Sequence, residues 1–171
     1  MATARAGRLT THRVCLSLPR VLALVGGLAL VGAFFMPWFS AQNLLLSGQF
    51  LHEFLRNPGD LRRFLPGSSG TASEAQLLRL LVDLFPACGA VAITATLAGG
   101  LLRAGRRAAN AILAVSGLVP LVGWAVGITR LPAGASAEIG LWLIALGSIA
   151  VLVGVTVELM QPHGMRANPN Q

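Results

Sequence analysis

Four apolar windows without a single charged side chain constrain this chain more than anything else in it: Val21–Phe39, Leu84–Leu102, Ala108–Thr129 and Ile139–Val157. Three are 19 residues long and one is 22. At the α-helical rise, 19 residues cover roughly 28 Å, close to the hydrocarbon thickness of a bilayer. The expected fold is therefore all-α, an integral membrane four-helix bundle in a single domain, 1–171. Its spans are expected at about 21–37, 84–102, 109–129 and 139–158. An outer segment, 40–72, carries an amphipathic helix between spans one and two.

Charged residues make up 11% of the chain and hydrophobic ones 54%. A soluble domain would carry about a quarter charged residues. The net charge of +7 invites a nucleic-acid reading. The positions of the charges argue against it. All thirteen basic residues are Arg, and Arg20, Arg103, Arg106, Arg107 and Arg130 sit at the ends of apolar windows, where topology determinants belong. No basic face of a soluble fold is visible, so no nucleic-acid partner is expected.

Residues 1–20 hold four arginines and no acid ahead of an apolar run. A signal peptide has that layout, but its apolar region is usually 7–15 residues and its cleavage site needs small side chains. The run here is longer and exits at Phe39-Ser40, so an uncleaved first span is expected. A mitochondrial presequence is the alternative reading of the same leader. Cys15 and Cys88 lie before span one and inside span two, too far apart for a disulfide, and match no metal or redox spacing.

Four spans put both termini on one side. With the termini inside, the inner segments hold eight arginines against the single acid Glu158, a net +7. The outer segments hold five arginines against five acids, a net charge of zero. The positive-inside rule, which counts only the basic residues, favours this orientation. Trp38, Trp124 and Trp142 then all fall on the outer side, where indole rings anchor at the interface. The expected location is a bacterial cytoplasmic (inner) membrane, multi-pass, with both termini cytoplasmic.

Pro37 should end the first helix near Met36, and Pro120 should kink the third span. In the outer segment Leu44, Leu46, Phe50, Leu51, Phe54 and Leu55 share one side of a helical wheel, opposite Gln49, His52, Glu53 and Arg56. Asn57-Pro58-Gly59-Asp60 reads as a turn, and Leu61, Phe64 and Leu65 form a second short apolar face. Ser73 to Gln76 and Thr71 to Glu74 fit capping boxes, so the helix of span two should start near residue 73 and project from the membrane. Arg79 and Asp83, four apart, should pair on its polar stripe.

No catalytic, cofactor or metal site is expected. His52-Glu53 opens like a zinc-protease motif, but Arg56 stands where the second His belongs. Ser68 and Ser69 lie between glycines with no base in view. Ion pathways usually place an ionisable group deep in the membrane, whereas Asp83 and Glu158 lie near its boundaries. Small residues are more informative. Gly123 and Gly127 form GxxxG in span three, and Ala95 and Gly99 add a small face to span two. Gly26, Gly27 and Gly32 lie in span one, and Gly147 and Gly154 share a face of span four. Such faces let helix backbones approach closely, within the bundle first and between copies second.

Span one ends Phe34-Phe35-Met36-Pro37-Trp38-Phe39, followed by Leu46-Ser47-Gly48. This pattern resembles a recurrent type of small uncharacterised bacterial four-span membrane protein. The resemblance implies the four-span layout and supplies no site residue. The large first outer loop also resembles claudins and tetraspanins, but their cysteine signatures are absent. The expected function is that of a non-enzymatic accessory or assembly subunit of a membrane complex. Its partners would be the lipid bilayer and other membrane subunits, or further copies of itself. A small oligomeric transporter or channel is the alternative.

Overall fold

A computed structural model describes residues 17–41, 44–56, 72–101, 106–129, 131 and 135–160. The chain is mostly helical, with five helices among the described residues and a small sheet. The order is α1 (Leu18–Ala33), β1 (Pro37–Ala41), β2 (Leu44–Ser47), α2 (Gly48–Phe54), α3 (Ala72–Leu101), α4 (Arg106–Thr129), β3 (Ser136–Ala137) and α5 (Ile139–Met160).

Helix α1 starts earlier and ends earlier than the first window. Ser17, in extended conformation, precedes it, and Pro19 lies in its first turn, where no backbone N–H is missed. After Ala33 the amides of Phe34, Phe35 and Met36 bond three residues back, to Val31, Gly32 and Ala33. The helix thus tightens into a turn ahead of Pro37, whose preceding residue is barred from helical geometry. At 16 residues α1 is a shorter apolar helix. Three helical segments are long and apolar enough to cross a membrane: Leu78–Gly99, Arg107–Thr129 and Ile139–Met160. Pro86 and Pro120 lie inside α3 and α4.

The sheet corrects the all-α expectation. Strand β1 is central, antiparallel to β2 on one side and to β3 on the other. Ala41 faces Leu44 and Phe39 faces Leu46, with a bulge between Pro37 and Phe39. The amphipathic helix expected from Leu44 onward is shortened by the same feature. Ser47 adopts an extended conformation, and its hydroxyl accepts the Phe50 amide at 3.2 Å, so the helix begins only at Gly48. Leu44 and Leu46 are strand residues, and only α2 keeps the wheel.

Helix α1 packs on α3 and α5, and α4 packs on the same two. The seams of α1 are made by glycine. A methyl group at Gly26 would lie 2.5 Å from the Gly147 carbonyl oxygen, and one at Gly89 would lie 2.7 Å from that of Gly27. Gly154 likewise faces the Pro19 carbonyl, so Gly147 and Gly154 do share the face turned to α1. Leu30, Ile144 and Val151 are fully buried behind these contacts. The outward faces stay apolar and exposed: Val25 and Leu28 on α1, Leu84 and Val91 on α3, Val115 and Leu118 on α4, Leu146 and Ile149 on α5.

Candidate functional site

Two polar clusters stand at opposite ends of the long helices. The first joins α2 to α3 beside the sheet. His52 Nδ1 lies 2.6 Å from Asp83 Oδ1, and Arg79 Nη2 lies 3.2 Å from His52 Nε2. A guanidinium only donates, so Nε2 accepts and the ring proton sits on Nδ1, donated to Asp83. The pairing expected between Arg79 and Asp83 is thereby replaced by a bridge through His52. A helical wheel alone puts His52 on the polar side of α2, away from its apolar contacts. The apolar side of α2 explains the difference, because Leu51 and Leu55 pack with Leu78 and Val82 and bring the imidazole against α3.

The second cluster stands at the far ends of the helices. Arg20 Nη2 donates to the Gly99 carbonyl at 3.0 Å and lies 3.4 Å from Glu158 Oε1. Glu158 is buried, with 5% of its side chain exposed, and Arg20 keeps 23%. Glu158 and the Gly99 carbonyl both belong to the last turns of their helices, where the backbone leaves partial negative charge. A carboxylate alone is ill placed there. Arg20 answers both the carboxylate and the carbonyl. Thr96 and Asn110 are buried alongside, and these side chains line a cavity of about 10 Å³.

Of the three expected interface anchors, Trp38 is a core residue. It is 5% exposed, its indole N–H donates to the Ala33 carbonyl at 2.7 Å, and its ring meets Phe85 edge-on at 5.3 Å. Gly48 and Gly140 lie against the indole, where a methyl group on either would fall within 2.7 Å of it. Trp142 is half exposed, and its ring centroid lies 5.8 Å from that of Trp124. The Trp124 indole N–H is buried and has no hydrogen-bond partner among the described residues.

Of the expected packing residues, Gly99 and Ala95 do meet neighbours, Gly99 against Ala109 of α4 and Ala95 against the buried cluster around Ala92. Gly123 faces the Phe85 ring, and Gly127 has nothing within 4 Å among the described residues. The close backbone contacts between helices belong to Gly26, Gly27, Gly147 and Gly154, all on the small faces expected for spans one and four, and to Gly89, which was not singled out. Spacing along one helix marks small faces, but only the partner helix decides which are used.

Among the described residues no group of three His, Cys, Asp or Glu side chains could hold a metal ion. Cys88 is free and buried. His12, Cys15, His163, the 57–70 turn and loop, and the capping-box side chains of Thr71, Ser73 and Glu74 lie outside the described residues or side chains. What was missed in the sequence is the convergence of Arg20, Thr96, Asn110 and Glu158. One signal was available: an acid in the last turn of an apolar helix, with no basic residue near it in sequence. No known family, curated protein or solved structure matches the chain.

Proposed function

We propose that the chain is a four-span integral membrane protein of the bacterial cytoplasmic membrane, a non-enzymatic accessory or assembly subunit with both termini cytoplasmic. α1 serves as the fourth span, extended by the turn and β1. The observation that carries the reading is the pairing of glycine seams inside with large apolar side chains exposed outside on every packed helix. Packing in a membrane is driven by close backbone approach and polar contacts, not by hiding apolar surface from water. An apolar exterior on all four helices then suits lipid and partner helices. The four-span bacterial proteins that the Pro-Trp and Ser-Gly pattern resembles fit this layout.

Extraction of the native membrane in mild detergent, followed by affinity capture of the full chain, tests the proposal. A stoichiometric partner subunit is the expected result. Capture of the chain as a discrete homo-oligomer with ion flux in liposomes would favour the alternative, a small oligomeric transporter or channel. One observation lends that alternative weight: the buried Glu158 beside Arg20, since ionisable groups within membrane helices are commonly functional.

A further inference from the structure

At the end of the helices away from the sheet, one side chain ties three helices together. Arg20 of α1 bonds the Gly99 carbonyl of α3 and faces Glu158 of α5. Helix α4 takes no part in those contacts. What it offers at that level is Asn110, nine-tenths buried and with no hydrogen-bond partner among the described residues. Asn110 lines the same cavity of about 10 Å³ as Arg20, Thr96 and Glu158.

The size and chemistry of the cavity select its occupant. A cavity of this volume takes about one water molecule. The lining presents both donors and acceptors. The Thr96 hydroxyl spends its proton on the Ala92 carbonyl at 2.7 Å, which leaves its lone pairs to accept. Glu158 accepts, and the Asn110 amide does both. Water matches such a mixed set because it donates two bonds and accepts two.

We propose that this cavity binds one ordered water that links Asn110 of α4 to the Arg20–Glu158 pair. The water closes a ring of polar contacts through α1, α3, α4 and α5. It makes Asn110 a positioning residue for that end of the protein.

The test uses the full chain, isotopically labelled, in lipid nanodiscs, with magnetisation transfer from water as the probe. Expected is a cross-peak from a long-lived water to the Asn110 side-chain amide and to the Glu158 side chain. Asn110→Leu should reduce the Glu158 transfer to background. Should that variant fail to fold, Asn110→Ser, which keeps a polar group, should retain the Glu158 transfer. Absence of both cross-peaks in the folded wild-type protein overturns the proposal. So does a saturable shift of the Asn110 amide when sodium chloride replaces choline gluconate at equal ionic strength, because an ion would then be the occupant.

Discussion

The indole of Trp38 lies directly over Gly48, so closely that a methyl group there would sit 2.6 Å from its Cζ2. Eight other residues separate Pro37-Trp38 from Ser47-Gly48, and the structure gives the two pairs one purpose. Pro37 ends the helical path, Trp38 fills the junction, Ser47 caps α2, and Gly48 leaves room for the ring.

The junction should be sensitive at both partners. Gly48→Ala forces the methyl into Trp38 and Phe34, at a cost of about 1–3 kcal/mol for overpacking. Trp38→Phe removes the bond to the Ala33 carbonyl and part of the ring volume, a loss of similar size, about 1–3 kcal/mol. Both should lower the midpoint of thermal unfolding in detergent. An unchanged midpoint for either would contradict the packing described.

Glycines should sort by contact and not by motif. Gly26→Ala and Gly147→Ala place carbon against the opposing carbonyl and should each cost about 1–3 kcal/mol. Gly127→Ala meets nothing among the described residues and should leave the thermal midpoint of the isolated protein unchanged or raise it, since alanine is the better helix former. Equal destabilisation by all three would remove the distinction. A loss of partner capture by Gly127→Ala at normal stability would mark that face as an interface.

Removing one partner of a buried ion pair is worse than removing both. Arg20→Met or Glu158→Leu alone should destabilise by about 3 kcal/mol. The double variant should recover much of that loss. The coupling is read from a double-mutant cycle of unfolding free energies, and additive single effects would show that the pair does not interact.

His52→Ala should free α2 from α3. The cost is about 1 kcal/mol, since the Asp83 side chain is 41% exposed and water replaces part of the bond. Amide hydrogen exchange over residues 48–55 should speed up while that of α5 stays constant. Uniform acceleration would instead mean global unfolding.

For topology, single cysteines at Ser69 and Gly105 in a chain otherwise free of cysteine should label from opposite faces of intact cells. Labelling from one face would reject the proposed orientation.

The helices were legible because apolar windows and prolines are local signals. The sheet was not legible. Leu44 and Leu46 satisfy a helical wheel as well as a strand, and the neighbour that makes β1 central lies far along the chain, with Ser40 bonded to Ser136 across 96 positions. The Arg20–Glu158 pair spans 138 positions. Window and wheel readings are blind to such distances. The preference of tryptophan for interfaces points to Trp38 as an anchor, but here a carbonyl freed at the end of α1 satisfies its N–H inside the protein.

The central place of β1 also dictates an order of assembly. Its hairpin with β2 can form as soon as residue 47 has been made, but its other edge stays unpaired until Ser136 and Ala137 arrive beside it. Between those events α3 and α4 must both be laid down. The last strand therefore acts as a latch that only a fully threaded chain can close, and a product truncated before β3 carries an open strand edge as its mark of incompleteness.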